Sequence, residues 1–125
     1  MKEAELKYST DHLWVAVEGD AARLGITDYA QNQLGDLVFI EFLETNNRLV
    51  QGEVFGRIES MKVAEDLRSP ITGEVVSINK VVSDMPEVVN KDPYGEGWLI
   101  RIHMTIQGEL EGLMSYESYR KSLQG

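Results

Sequence analysis

The chain has 125 residues, 42% of them hydrophobic and 26% charged, a length and composition that suit one compact domain of a soluble protein. Its 21 acidic and 12 basic residues give a formal net charge of −9, which argues against binding nucleic-acid phosphates or an anionic membrane surface. The absence of cysteine excludes disulfides, thiolate metal sites and a cysteine nucleophile.

The N-terminal segment, Met1 to Thr10, is polar and has no apolar region of the kind found in a secretory signal. Nowhere does the sequence contain the run of about 18 or more apolar residues that predicts a transmembrane helix. We therefore expect a cytoplasmic protein that does not bind membranes.

The first regular elements are a predicted hairpin, a short helix and a strand. Leu13 to Glu18 predicts a strand, a turn at Gly19-Asp20 follows, and Ala21 to Gly25 predicts the return strand. Thr27 is a candidate N-cap for a short helix, Asp28 to Gln33, which Gly35 would end. The next segment is rich in β-branched and aromatic residues, as is typical of a strand, and runs from Leu37 to Leu43.

The middle of the chain predicts two more strands. One follows Gly52 and runs from Glu53 to Glu59, where alternate residues share one face. The other follows Pro70 and runs from Ile71 to Ile78, with a turn near its start.

The C-terminal third predicts short helices around one further strand. Asp84 to Glu87 is typical of a helix start, Asn90 to Gly97 is rich in turn residues, and Trp98 to Met104 predicts a strand. A helical pattern then extends from about Glu109 to about Leu123. No linker or low-complexity segment divides the sequence, so we predict a single mainly-β domain over residues 1–125, with short peripheral helices.

Lys62 occupies a distinctive place in this pattern. Gly52 lies ten residues before it and Gly73 eleven residues after it, so the spacing predicts a hairpin over about residues 53–70 with the lysine at its tip. An exposed, rigid tip suits a lysine that an enzyme must recognise and acylate, and acylation would remove its charge. By spacing alone, a solvated turn lysine remains the commoner interpretation.

Several blocks of sequence share their order and spacing with one family: Asp11–Val15, Gly25–Gln31, Leu34–Phe39, Glu59–Val63 with Asp66–Leu67, Pro70–Val75, Pro86–Asn90 and Asp92–Trp98. Through these blocks the chain resembles the H protein of the glycine cleavage system, a family of lipoyl carriers, from about Tyr8 to Tyr119. Each block alone is a weak signal, whereas their order and spacing together are specific.

This resemblance implies a flattened β-barrel or hammerhead sandwich and a lipoyl group on Lys62. It implies a carrier subunit of a multienzyme system, without a catalytic acid or base of its own. Its partners would be glycine decarboxylase, aminomethyltransferase, dihydrolipoamide dehydrogenase and a lipoate-attaching enzyme, between which the arm shuttles an aminomethyl group. The residues expected around the attachment site are Glu59, Ser60, Met61, Val63 and Asp66.

One departure from the family bears on the cargo. The family has glutamate where this sequence has Leu13, and that carboxylate is expected to hold the cargo amine. Asp11 and Asp66 are candidates to compensate, and Asp28 is a further candidate for the arm cleft. Loss of one partly exposed ion pair would weaken binding by about 1 kcal/mol.

The departures leave other functions open. An H-like lipoate-binding protein of another pathway, such as sulfur oxidation, needs no counter-charge for an amine and fits Leu13 somewhat better. Met61 beside the lysine is typical of biotinyl carriers, although these have methionine on both sides and Val63 follows here. An unmodified binding domain is the remaining alternative.

The only histidines, His12 and His103, do not form part of a clustered ligand pattern, so no metal site is predicted.

Overall fold

A computed structural model describes residues 3–124 of the chain, so Met1, Lys2 and Gly125 of the predicted domain lie outside the described residues. In chain order the strands are β1 (Lys7–Tyr8), β2 (Leu13–Glu18), β3 (Ala21–Ile26), β4 (Leu37–Phe42), β5 (Arg48–Leu49), β6 (Val54–Ser60), β7 (Ala64–Arg68), β8 (Gly73–Ile78) and β9 (Ile100–Met104). The α-helices are α1 (Asp28–Leu34), α2 (Lys80–Asp84), α3 (Glu87–Lys91) and α4 (Tyr116–Gln124), and 3₁₀ helices form at Glu3–Glu5 and Gln107–Gly112.

The strands form two antiparallel sheets that share one hydrophobic core. The larger sheet has the order β1-β2-β3-β9-β8-β5, and the smaller has the order β4-β6-β7. Side chains from both sheets meet in the core, among them Leu24 and Ile102 from the larger and Ile40, Phe55 and Ile58 from the smaller. Burial of each such side chain stabilises the fold by about 1.5–3 kcal/mol.

The prediction of a mainly-β fold is therefore confirmed. Of the two expected architectures, a flattened β-barrel and a sandwich, the structure has the sandwich. In the described chain each sheet keeps two edges, β1 and β5 in the larger and β4 and β7 in the smaller, so the sheets do not close into a barrel. No helix within residues 3–124 is long and apolar enough to cross a membrane.

Helix α1 forms where its capping residues predict it. The Thr27 hydroxyl accepts a hydrogen bond from the amide of Ala30 at 3.2 Å, which satisfies one free donor of the first turn. At the other end, Gly35 has a positive φ of 84° and donates its amide to the carbonyl of Gln31 at 2.9 Å. The glycine permits this conformation, which a side chain would disfavour.

The C-terminal helix differs from the prediction because it begins at Tyr116 rather than near Glu109. Residues 107–112 form a 3₁₀ helix, and Leu113 is extended. Met114 then exchanges both of its backbone hydrogen bonds with Tyr8, at 2.8 and 2.9 Å. Since these bonds use the groups that a continuous helix would need, the chain is interrupted there.

The second helical region also differs in its boundaries. The predicted helix start within Asp84 to Glu87 lies at the end of that range, because Asp84 ends an earlier helix, α2, whose N-cap Asn79 accepts the amide of Val81 at 3.2 Å. Helix α3 then begins at Glu87, directly after Pro86.

Two buried tyrosines, Tyr8 and Tyr119, and the half-buried Tyr94 are expected to lower the stability of the fold at alkaline pH. Burial raises the pKa of Tyr8 and Tyr119 above the ordinary value, and burial raises that of Tyr94 to about 12. A raised folded pKa means that folding favours the protonated phenol, so its contribution is complete below about pH 10 and is lost as the pH rises through the folded pKa.

We therefore expect the free energy of unfolding, measured with urea, to fall as the pH rises from about 10 toward about 12. Tyr94→Phe should make this fall shallower. A free energy of unfolding that stays constant across this range would contradict the prediction.

Candidate functional site

Lys62 lies at the tip of the hairpin that β6 and β7 form, where Glu59 pairs with Ala64 across the strands. The Ser60 hydroxyl accepts hydrogen bonds from the amides of Lys62 and Val63, at 3.1 and 3.2 Å. The amide of Ser60 donates in turn to the carbonyl of Val63 at 2.8 Å. These bonds define the backbone of the tip, while the side chains of Lys62 and its neighbours are exposed.

The lysine side chain lies beside the C-terminal end of α1. A Cβ atom built on Gly35 would be 3.9 Å from Cε of Lys62 and 4.0 Å from Nζ. The amide of Met61 donates to the carbonyl of Asp36 at 3.4 Å, which joins the tip to the same turn. The amine is thus exposed at a defined place, next to helix carbonyls whose partial negative charge favours a cation.

A cleft opens between this hairpin, α1 and the loop before β2. Its volume is about 350 Å³, within the range typical of small-molecule sites. Helix α1 contributes one face of side chains at helical spacing, and the two other walls come from residues far apart in sequence. The lining residues are Asp11, His12, Leu13, Ile26, Tyr29, Ala30, Gln33, Leu34, Ile58, Val63, Glu65, Asp66 and Leu67.

The cleft combines an apolar wall with an acidic rim. Leu13 is 2% exposed and packs into the core, so its side chain gives the cleft a hydrocarbon wall. Asp66 forms an ion pair with Arg57 at 3.4 Å. Within residues 3–124, Asp11 and Glu65 have no ion-pair partner, so these two carboxylates are available to a cationic group in the cleft.

The structure places some of the predicted site residues elsewhere. Asp28 does not line the cleft, because its carboxylate accepts hydrogen bonds from the side chains of Gln31 and Asn32 within α1. Glu59 lies on β6 next to the tip and does not line the cleft, and Met61 is 80% exposed. By contrast Asp11, Leu13, Val63 and Asp66 all line it.

Nine of the lining residues were not among the predicted site residues, and three of them are Tyr29, Gln33 and His12. Tyr29 and Gln33 lie four residues apart in α1. The predicted helix therefore already indicated that their side chains share one face. Across the described residues, no group of three or more histidine, aspartate or glutamate side chains is arranged to hold a metal ion.

Comparisons of the sequence and of the fold with known proteins both match glycine cleavage H proteins. The family model for the glycine cleavage H-protein matches residues 6–125. Among solved structures, the chain is similar to a glycine cleavage system H protein from Mycobacterium marinum. The two are 34% identical, with a TM-score of 0.87 and a match covering 98% of each chain. H proteins are carrier subunits rather than catalysts. These matches over nearly the whole length show that the chain belongs to the glycine cleavage H-protein family.

Proposed function

We propose that Lys62 bears a lipoyl group and that the chain carries an aminomethyl group on this arm during glycine cleavage. The observation that carries the proposal is an exposed lysine, on a tip fixed by hydrogen bonds, beside a 350 Å³ cleft with free carboxylates. Family membership supports the carrier role in glycine cleavage.

The residues of the tip and cleft fit such an arm. Lys62 is exposed, so an attaching enzyme can reach its amine and convert it into an uncharged amide. Leu13, Ile58 and Leu67 supply apolar walls for a hydrocarbon chain. When bound, the lipoyl group supplies a disulfide that can be reduced, bonded to a cargo group and reoxidised.

The acidic rim fits a cargo that carries an amine. Asp11 and Glu65 lie at the cleft without an ion-pair partner among the described residues, while Asp66 is shared with Arg57. A carboxylate next to a partly exposed ammonium contributes up to about 1 kcal/mol. The walls also limit the access of water to the bound cargo.

The proposed partners are glycine decarboxylase, aminomethyltransferase, dihydrolipoamide dehydrogenase and the enzyme that attaches lipoate. Each must reach the same hairpin tip, which is exposed and protrudes beside the cleft. The net charge of −9 favours association with basic partner surfaces and predicts that association slows as the salt concentration rises.

The experiment that tests the proposal has two steps. The protein is first produced with a lipoate-attaching enzyme, and its intact mass and the modified residue are determined. The lipoylated protein is then mixed with glycine decarboxylase and labelled glycine, and exchange of carbon dioxide is measured. Absence of acylation at Lys62 would overturn the carrier proposal, and acylation without exchange would overturn the assignment to glycine.

One observation favours a second candidate, a lipoyl carrier of another pathway such as sulfur oxidation. Leu13 is almost fully buried and gives the cleft an apolar wall at the position where the family has a carboxylate. A cargo of sulfur or electrons has no ammonium group and needs no carboxylate there.

Replacing Leu13 with glutamate tests how this position affects the cargo. Because Leu13 is almost fully buried, a charged side chain at this position must turn out of the core into the cleft. In that position we expect Leu13→Glu to lengthen the lifetime of the amine-loaded arm in water about five-fold, which corresponds to about 1 kcal/mol for one partly exposed ion pair. The lifetime is measured as release of labelled cargo after removal of the decarboxylase.

Leu13→Gln is the matched control, because it has a similar volume and polarity without the charge. If the glutamate and glutamine variants release cargo at the same rate, a carboxylate at this position does not hold the amine.

A further inference from the structure

A chain of hydrogen bonds links the cleft to the C-terminal helix. The Nδ1 atom of His12 lies 2.9 Å from the hydroxyl of Tyr119. The same hydroxyl lies 2.7 Å from Oγ1 of Thr27, which also accepts the amide of Ala30 as the N-cap of α1. Three separate segments, the loop before β2, the start of α1 and α4, therefore meet at one phenol oxygen.

The proton positions in this chain follow from the burial of Thr27. Its side chain is inaccessible to solvent, and within residues 3–124 the acceptor that its hydroxyl reaches is the oxygen of Tyr119. A buried donor left without a partner costs about 1–3 kcal/mol, so Thr27 donates to Tyr119. Tyr119 then has one proton to donate, and it donates this proton to Nδ1 of His12. The neutral imidazole consequently carries its own proton on Nε2.

Burial also raises the pKa of Tyr119, so the phenol retains the proton that this arrangement requires. Its ring is fixed as well, since it stacks on Tyr8 with ring centres 4.6 Å apart and an angle of 7° between the planes. The donor to His12 is thus held in place by a smaller cluster of buried side chains, which consists of Leu6, Tyr8, Trp14, Ala16 and Tyr119.

Backbone hydrogen bonds also fix the position of His12 at the cleft. Its φ of 66° lies in the left-handed region, which is uncommon for residues other than glycine. The amide of His12 donates to the carbonyl of Ser9 at 3.2 Å, and its carbonyl accepts the amide of Thr27 at 3.0 Å. The ring of Tyr29 contacts the imidazole, with centroids 5.0 Å apart. An unusual backbone conformation held on several sides is a feature often found at functional positions.

His12 and the attachment point, Lys62, lie beside opposite ends of helix α1. Lys62 lies beside Gly35 at the C-terminal end of the helix, whereas His12 contacts Thr27 and Tyr29 at its N-terminal end. Seven helical residues span about 10 Å. An arm that starts at Lys62 and lies along the cleft therefore brings its far end, rather than its amide, to His12.

We propose that Tyr119 is a positioning residue which holds His12 as an Nε2–H donor toward the sulfur-bearing end of the arm. This inference rests on the proposed function, because it takes the arm on Lys62 to be lipoyl. A thiol is a weak hydrogen-bond acceptor and a thiolate a stronger one. The carboxylates Asp11 and Glu65 then serve a cationic cargo, and the Nε2–H group of His12 serves the sulfur.

The first test uses the unmodified protein and does not depend on the arm. Nitrogen NMR of the imidazole in mildly alkaline solution should show the proton of His12 on Nε2 and a hydrogen bond to Nδ1. In Tyr119→Phe, which keeps the stacked ring, the Nδ1 signal should move to that of a nitrogen without a donor. Tyr116→Phe is the control and should leave the signal unchanged. A proton on Nδ1 in the wild type, or an unchanged signal in Tyr119→Phe, would overturn the positioning role.

The second test compares two forms that differ only in sulfur. Reduced lipoyl and octanoyl groups on Lys62 have the same carbon chain, and only the first contains sulfur. We expect the Nε2–H signal of His12 to shift in the reduced lipoyl form relative to the octanoyl form, and this difference to disappear in Tyr119→Phe. Equal signals in the two forms would overturn the contact with sulfur. If Lys62 cannot be lipoylated at all, the proposed function fails, and the first test still decides the role of Tyr119.

Discussion

Replacing Lys62 with arginine is expected to abolish lipoylation and carrier activity while changing the free energy of unfolding by no more than about 0.5 kcal/mol. The loss is complete because a guanidinium group cannot be acylated in place of the primary amine and stays charged. Stability is kept because the side chain is exposed and its hairpin turn is held by backbone bonds to Ser60 rather than by the lysine.

Intact mass, exchange of carbon dioxide from labelled glycine and urea unfolding measure the three parts of this prediction. Lys121→Arg, an exposed lysine on α4, is the matched control and should be lipoylated at Lys62 like the wild type. A lipoyl mass increase in Lys62→Arg would place the arm on another lysine. A loss of several kcal/mol in stability would show that the tip contributes to packing.

The position of Lys62 at a hairpin tip was predictable from local sequence. Gly52 marks the turn before the hairpin, and two strands, β6 and β7, form on either side of Lys62 as predicted, although Gly73 begins β8 rather than a turn. The role of the lysine was not predictable from this spacing. It came from the resemblance to the H protein, whose family the comparisons confirm.

The cleft was only partly predictable because its walls come from distant segments. Asp11 and Asp66 were candidates through their place in the family pattern, and both line the cleft. Asp28 was a candidate for the same reason, but the first turn of α1 uses its carboxylate. The contact between His12 and Tyr119 joins residues 107 positions apart, and no local pattern indicates it.

In the C-terminal region, a long-range backbone pairing overrides the helical pattern of the local sequence. Leu110, Leu113, Met114 and Tyr119 have helical spacing, so the sequence predicts one continuous helix. The backbone of Met114 pairs instead with Tyr8, more than a hundred residues earlier. Long-range pairing of this kind cannot be seen in a sequence window.

The largest loss of stability is expected from Trp14→Ala. Trp14 is fully buried, and its indole Nε1–H donates to the carbonyl of Pro93 at 2.9 Å. It also contacts Tyr94, whose hydroxyl accepts the first amide of α1, from Asp28, at 2.9 Å. Truncation of a buried tryptophan typically costs about 3–5 kcal/mol, a large part of the roughly 5–15 kcal/mol that stabilise a domain.

Urea unfolding followed by circular dichroism measures this loss, with Phe39→Ala as the control. Phe39 is 43% exposed on β4, so its truncation should cost much less. A similar cost for the two substitutions would contradict the buried role of Trp14.

Gly25 provides a second test of the same contact. It pairs with Trp14 across β2 and β3, and a Cβ atom at Gly25 would lie 2.5 Å from Cε2 and Cζ2 of the indole. Gly25→Ala should therefore cost about 1–3 kcal/mol in the wild type, as overpacking does. In the Trp14→Ala background the added methyl group meets no indole, so the same substitution should cost little. The double-mutant cycle measures this coupling, and equal costs in both backgrounds would show that the tryptophan is not what restricts position 25 to glycine.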